Sequence, residues 1–138
     1  PELVAEIQAV YDEGEIEEAA RMLEAAVARY GDPELRIWLG IAHEQLGRYA
    51  DATSAWRDAI DLDASGEAAF RLSMLTVRAN DPEDGLRWLH VAIQKEPYLA
   101  DEVRIDAKEE DDPWAMLRGD PRLDRLLAQA ERRKGSPA

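Results

Sequence analysis

The sequence predicts an all-α fold: a right-handed α-solenoid of three helix-turn-helix repeats, closed by C-terminal capping helices. Two observations carry this prediction. Ala, Leu, Glu and Arg dominate while β-branched residues are sparse, and that composition favours helices throughout. In addition, small and large apolar residues recur with a period of 33 residues. Similarity of a sequence to itself at a fixed period indicates a repeat architecture.

The period is visible in several columns of the sequence at once. The columns are Gly14 and Gly47; Ala19, Ala52 and Gly85; Leu23, Trp56 and Leu89; and Ala26, Ala59 and Ala92. Two antiparallel helices need small residues where they cross closely and large residues between the crossings. We therefore expect Ala52 to lie at a close helix crossing. Each hairpin buries only one face, so neighbouring hairpins should stack.

The first two repeats are expected over residues 1–32 and 33–65. Gly14 should end the first helix, because a left-handed C-terminal position favours glycine. Asp32 followed by Pro33 is a start signal, since Asp caps helix N-termini and Pro suits the first helical position. The helix that follows is apolar on nearly all sides. Both of its faces should be covered, or one should be available to a partner.

The third repeat is expected over residues 66–98, with Ser65 as the helix N-cap. Asn80 stands where the other repeats have a turn glycine, and Asn can also adopt the left-handed conformation. Pro97 should stop the return helix.

Residues 99–138 should form capping helices and a polar tail, because terminal repeats need a cap with a polar outer face. The expected elements are a helix within 98–108, a short helix over 114–117, a last helix from 121 to about 132 and a frayed tail over 132–138. Asp112-Pro113 and Asp120-Pro121 supply the start signals for the last two helices. The acidic run from Asp101 to Asp112 has no Gly for a calcium loop and should be a solvated helix face.

Composition limits the classes of function. The net charge of −13 disfavours nucleic acid as a partner and suits basic partners instead. No cysteine is present, which excludes disulfides and thiolate chemistry. No apolar run approaches the ~18 residues of a membrane span, so no membrane partner is expected. No signal peptide is visible, so we expect a cytoplasmic protein. The chain begins at Pro1, as a trimmed product or a fragment of a longer protein.

Enzyme signatures are sparse. His43 and His90 have no partner at metal-ligand spacing, and His43 occupies a packing column, which predicts a core histidine. There is no phosphate-binding glycine loop and no nucleophile elbow. We therefore expect no catalytic residues, no metal and no cofactor. An enzyme or cofactor carrier would instead show a pocket with convergent titratable groups.

The repeat columns resemble the tetratricopeptide repeat family. The second repeat carries the match at Leu39, Gly40, Gly47, Tyr49, Ala52, Trp56 and Ala59. The period of 33 is one residue shorter than the usual 34 of that family. The segment from Trp114 to Leu127 looks like the C-terminal ending of many bacterial repeat proteins of this kind. In the family, the first helix of each hairpin lines a concave surface that binds peptides, so the resemblance implies protein–protein interaction.

Carried over by register, the resemblance implies a partner-binding groove with an apolar middle. Its expected residues are Tyr11, Ile37, Trp38, Ile41, Gln45, Phe70, Arg71, Met74 and Arg78. Trp38, Phe70 and Met74 should anchor a protein or peptide partner, while acidic residues select basic flanks. One subclass of the family clamps a terminal carboxylate. Val4, Gln8, Trp38 and Met74 stand where that clamp needs polar or basic groups, so no clamp is expected.

Other interpretations of this surface stay open. The C-terminal helix, or a second copy of the protein in a homo-oligomer, could fill it. The chain could also be a non-catalytic regulatory domain of a larger protein.

Overall fold

The computed structural model describes residues 2–63 and 65–135 of the chain, and within these ranges the regular structure is helical. The chain divides into two compact units, residues 1–63 and 64–138. The first unit contains α1 (Glu2–Asp12), α2 (Ile16–Tyr30), α3 (Pro33–Gln45) and α4 (Tyr49–Ile60). The second contains α5 (Glu67–Arg78), α6 (Pro82–Lys95), α7 (Leu99–Asp106), a 3₁₀ turn (Ala115–Leu117) and α8 (Pro121–Lys134).

The 33-residue period extends to the backbone conformation of the turns. Gly14, Gly47 and Asn80 are spaced by that period and have φ values of 84°, 76° and 67°. The left-handed turn predicted at Asn80 is therefore confirmed. The return helices α2, α4 and α6 begin two residues after these positions, so one turn geometry serves all three hairpins.

The Asp-Pro start signals at Asp32 and Asp120 are confirmed, whereas the one at Asp112 is wrong, because the 3₁₀ turn begins at Ala115 and its N-cap is Trp114. The side chain of Asp32 accepts a hydrogen bond from the Glu34 N–H at 2.8 Å, and that of Asp120 accepts one from the Arg122 N–H at 2.9 Å. Each cap satisfies one of the amide groups that a helix N-terminus leaves unpaired.

The N-cap predicted at Ser65 is wrong by one residue. The cap of α5 is Gly66, with φ 80°. A Cβ there would lie 2.8 Å from the carbonyl oxygen of Ala92, so a residue without a side chain is required. The Ser65 hydroxyl still accepts a hydrogen bond from the Glu67 N–H at 3.2 Å.

In the first unit, α3 and α4 cross closely at Gly40. A Cβ on Gly40 would lie 2.2 Å from Nε1 of Trp56, which is fully buried. The same Nε1–H donates a hydrogen bond to the Ile37 carbonyl at 3.1 Å, which fixes the indole in place. Ala52 is also fully buried on α4.

In the second unit, α5 and α6 approach each other closely at the equivalent positions, but through different residues. The Ser73 hydroxyl donates a hydrogen bond to the Gly85 carbonyl at 2.6 Å. A Cβ on Gly85 would lie 2.3 Å from Cγ2 of Val77. Ser73 and Gly85 stand one period after Gly40 and Ala52. The two hairpins thus achieve close packing with different residues in the same columns.

The C-terminal elements are organised around Trp114, which is fully buried. Its ring lies 5.3 Å from the ring of Phe70, and its Nε1–H donates to Asp106 at 3.1 Å. Asp112 accepts from the Trp114 N–H at 3.0 Å and from Nε and Nη2 of Arg118 at 2.7 and 2.9 Å. Burial alone would raise the pKa of the Asp112 carboxyl. The hydrogen bonds from Arg118 and from the Trp114 N–H outweigh it, so this pKa is lowered.

The acidic run from Asp101 to Asp112 is only in part the solvated helix face that was expected: Glu102, Glu109, Glu110 and Asp111 are exposed, but Asp101, Asp106 and Asp112 are partly buried. α7 ends at Asp106, and Asp112 accepts hydrogen bonds from the following segment. Lys134 donates to Asp101 at 2.5 Å and to Glu131 at 2.9 Å. These contacts also keep α8 helical to Lys134, beyond the predicted end near Arg132. Of the predicted frayed tail, residues 136–138 lie outside the described residues.

Candidate partner-binding surface

Tyr11 on α1 and Trp38 on α3 are the two aromatic residues of the predicted groove in the first unit. Their ring centroids lie 6.3 Å apart at an interplanar angle of 64°, an edge-to-face contact. Such pairs are favourable beyond the area they bury. Trp38 is half-buried, which leaves part of its ring accessible. The Tyr11 contact therefore holds an aromatic side chain at the surface in a fixed orientation.

The remaining predicted residues of this unit lie on α3 and differ in exposure. Ile37 is 7% exposed, so its side chain packs mainly inside the unit. Ile41 is half-buried and Gln45 is exposed. A ligand on this face would contact Trp38, Ile41 and Gln45 more than Ile37.

An apolar pocket of about 320 Å³ opens beside Trp38, among α1, the end of α2 and the start of α3. Its lining consists of Leu3, Val4, Ile7, Leu23, Tyr30, Asp32, Glu34, Leu35 and Trp38. Ile7 and Leu23 are 1% and 0% exposed and form the floor, whereas Val4 and Tyr30 are 47% and 56% exposed. The pocket thus leads from an accessible apolar rim directly to the core of the first unit. Its volume lies at the lower end of the usual range for ligand pockets.

Most of these pocket residues lie outside the set of groove residues predicted from the sequence, which contains only Trp38. A signal for the pocket exists in the repeat columns. Tyr30 is aromatic, but the residues one and two periods later are Asp63 and Glu96. Because the other repeats have acidic residues at this position, the packing common to the repeats does not require an aromatic side chain there.

In the second unit, the predicted residues lie on α5. Phe70 is 8% exposed and packs against Trp114. Arg71 donates to Glu67 at 2.8 Å, and Arg78 donates to Asp111 at 3.2 Å. Met74 is half-buried. The C-terminal segment therefore already covers Phe70, and it does so through Trp114.

The two histidines do not form a site. His43 is 5% exposed, and its Nε2 lies 3.4 Å from a carboxylate oxygen of Glu24. The prediction of a core histidine is confirmed. His90 is exposed on α6. Within residues 2–63 and 65–135, no group of three or more His, Asp or Glu is placed to hold a metal ion. Over the same residues, none of the helices combines the length and the apolar character needed to cross a membrane.

Paired helices that repeat at a fixed period and carry a partly exposed aromatic face define a helical-repeat scaffold. The family model for the tetratricopeptide repeat matches residues 4–69 and 39–100. These two segments together cover well over half of the chain, so the protein belongs to the tetratricopeptide repeat family. The resemblance drawn from the repeat columns is confirmed, and so is the all-α, α-solenoid class.

Solved structures of similar fold include the type III secretion chaperone SycD of Yersinia enterocolitica. One of these structures is the complex of SycD with a peptide of the translocator YopD. Its SycD chain shares 15% sequence identity with this protein, and the alignment covers 96% of this chain and 92% of the SycD chain, with a TM-score of 0.65. An alternative dimer of SycD is 15% identical, covering 98% and 93%, with a TM-score of 0.63. No curated protein sequence matches the chain. At this identity the likeness establishes the fold alone.

Proposed function

We propose that the protein binds a peptide or helix of a partner protein on the apolar surface formed by the first helices of its hairpins. The chain has the non-enzymatic, protein-binding scaffold fold of the tetratricopeptide repeat family, and this supports the proposal. The SycD structure in complex with a YopD peptide supports it further, as an example of this fold with a bound peptide.

The observation that carries the proposal is the position of Trp38. This residue is half-buried, contacts Tyr11 edge to face, and forms one wall of an open apolar pocket. Accessible apolar patches on folded proteins usually mark interaction sites, and tryptophan is enriched among the residues that dominate binding energy. Trp56 fills the close crossing of α3 and α4, whereas Trp38 packs only partly against the core and keeps an accessible face.

In the second unit, Met74 is the better anchor. It is half-buried and flexible, and Met adapts well to differing partners. Phe70 would contact a partner only after displacement of Trp114. Arg71 and Arg78 lie on the same helix and are already ion-paired, so their contribution would be orientation of the partner.

Affinity capture from native lysate followed by mass spectrometry tests the proposal. Trp38→Ala should lose the proteins that the wild type retains. Trp88→Ala is the matched control, because it removes the same side chain from the return helix α6. Gln45→Arg alters an exposed position of the proposed surface without touching the core, so it keeps the test valid if Trp38→Ala unfolds. Unchanged capture by both surface variants would contradict the proposal.

Self-association through the same surface is the second candidate, favoured by the dimeric structure of SycD. Light scattering of the purified chain distinguishes the two, since a monomer at high concentration excludes an obligate dimer. We further propose a cytoplasmic location, which fractionation of cells expressing the tagged chain would test.

A further inference from the structure

We infer that the pocket beside Trp38 takes an apolar side chain of a peptide segment and that the acidic rim binds a Lys or Arg next to it. This inference rests on the proposed function and names the chemistry of the partner. Three features of the first unit support it: the shape of the pocket, the acidic residues at its rim, and the net charge of the unit as a whole.

The shape of the pocket favours an inserted side chain. The floor residues Ile7 and Leu23 belong to the core cluster of the unit, so an apolar group that enters the pocket extends that core. Leu3 and Leu35 are half-buried beside the floor and add apolar contact. The charged residues among the lining, Asp32 and Glu34, are both exposed. When an apolar side chain of a peptide occupies the pocket, the adjacent residues of that peptide lie at the rim.

The charged residues that line the pocket are both acidic, although the guanidinium of Arg29 lies close by on the Tyr30 ring. Asp32 and Glu34 line the pocket, and both are exposed. The Asp32 carboxylate already accepts a hydrogen bond from the Glu34 N–H, which fixes its position at the start of α3. Arg29 lies over the Tyr30 ring at 5.3 Å, so a ring at the rim already accepts a guanidinium on its face. A Lys or Arg of the peptide would meet the two carboxylates there.

The charge of the whole unit selects among possible occupants. Residues 1–63 contain fifteen Asp and Glu against five Arg, a net charge of −10 out of −13 for the chain. Two copies that met through this face would bring two strongly acidic surfaces together, which is unfavourable. A basic peptide is attracted instead, and the attraction accelerates the encounter. Charge complementarity therefore favours a basic partner over a second copy.

Selection from a random sixteen-residue peptide library displayed on phage tests the inference. The full chain is the bait, and the enriched peptides should combine an apolar residue with Lys or Arg a few positions away. A resynthesised enriched peptide then serves as the labelled probe for measurement of Kd. Val4→Trp, at an exposed rim position, should block the pocket and abolish binding.

The charge contribution is tested with Asp32→Asn combined with Glu34→Gln. Asn keeps the capping acceptor of α3, so this variant removes charge while preserving the helix start. Binding of the probe should weaken about threefold to tenfold, as expected for exposed charge pairs. The matched control is Glu109→Gln with Glu110→Gln, which makes the same change in net charge at exposed positions outside the pocket. The control should leave Kd within twofold of the wild type.

The failures are distinguishable. Enriched peptides without basic residues, or binding that Val4→Trp does not alter, would overturn the inference and leave the proposed function standing. An equal loss of affinity in the control would also overturn it, since the effect would then come from net charge alone. A dimer that Val4→Trp dissociates would assign the pocket to a second copy. A library that yields no binder would count against the proposed function itself.

Discussion

The indole of Trp56 lies over the α-carbon of Gly40, so close that a Cβ there would be 2.2 Å from Nε1. Trp56 is fully buried and hydrogen-bonded to the Ile37 carbonyl, so the indole has no free direction in which to move. The hairpin of α3 and α4 therefore depends on the absence of a side chain at one position and the presence of the largest side chain at another.

Gly40→Ala should destabilise the protein although alanine is the better helix former by about 1 kcal/mol. The new methyl group must displace a rigid, buried indole, and overpacking of this kind costs about 1–3 kcal/mol. We expect a net loss of up to about 2 kcal/mol in the free energy of unfolding, measured with urea. Combination with Trp56→Leu should be non-additive by about 1 kcal/mol, because the smaller side chain makes room for the methyl group. Additive effects would show that the two residues do not share this space.

Ala52→Leu should lower the free energy of unfolding by roughly 1–3 kcal/mol. Ala52 is fully buried on the inner side of α4, and three additional carbon atoms have no space there. The control is Ala50→Leu on the same helix, where the side chain is exposed and the change should be near neutral. A neutral result at Ala52 would undermine the register from which the groove residues were assigned.

Arg118→Ala should loosen the segment around Trp114. Arg118 donates two hydrogen bonds to Asp112, and its Nη2 also donates to the Val103 carbonyl at 2.7 Å. Hydrogen bonds to charged groups contribute roughly 1.5–3 kcal/mol, and partial exposure reduces this to about 1–2 kcal/mol.

A red shift of tryptophan fluorescence, in a background with the half-buried Trp38 and Trp88 replaced by Phe, would report the change, since the remaining Trp56 is fully buried in the other unit. Arg118→Lys should rescue only part of the loss, since lysine lacks the planar fork of arginine. Arg125→Ala on α8 is the exposed control. Equal effects at both positions would contradict a specific role for Arg118.

The stability of the second unit should fall in acid through the ion pairs of α8. The hydrogen bond from Lys134 lowers the pKa of the Asp101 carboxyl from 3.8 and that of the Glu131 carboxyl from 4.5. Groups with a lowered folded-state pKa contribute stability that is complete above the unfolded values and disappears as pH falls through the folded values. The loss should therefore begin below about pH 4.5.

Lys134→Met tests this dependence, because it removes the ammonium group and keeps a long side chain. Urea unfolding of wild type and variant at a series of pH values should show a shallower acid decline for the variant. The pKa of Lys134 is itself raised, first by the hydrogen bond to Asp101, so the same contacts should also weaken as pH rises through that folded-state value. Parallel pH profiles would show that these pairs do not set the dependence.

The periodic part of the fold was predictable because each column has a local physical cause. Gly14, Gly47 and Asn80 are turn residues, and their left-handed conformation follows from residue type. Outside the repeat columns, the Asp-Pro caps were predictable for a similar reason, because Asp32 and Asp120 carry the capping function in the side chain itself. The N-cap of α5 was predicted one residue too early, at Ser65. The need for glycine at position 66 arises from the close approach of the Ala92 carbonyl, which lies on another helix and leaves no local pattern.

The candidate site was predictable only where the repeat register applies. Trp38 follows from its column, and the structure places it on an accessible wall. The contact of Phe70 with Trp114 could not be inferred, because Trp114 lies in an aperiodic segment and long-range pairing leaves no local pattern. Tyr30 was not among the predicted site residues, because the repeat register identifies positions that the repeats have in common. Tyr30 differs from Asp63 and Glu96, the residues at the equivalent positions.

The hairpins use different residues at their close helix crossings, and this limits where repeats can be exchanged by recombination. Gly40 and Trp56 are matched to each other on α3 and α4, whereas the third hairpin uses Ser73 and Gly85 for its own close approach. A recombination between repeats with a breakpoint inside a hairpin would separate these matched residues and leave a clash or a void. Breakpoints in the connections between hairpins would keep each pair intact. The hairpin is thus the smallest segment that can be exchanged without separating these matched residues.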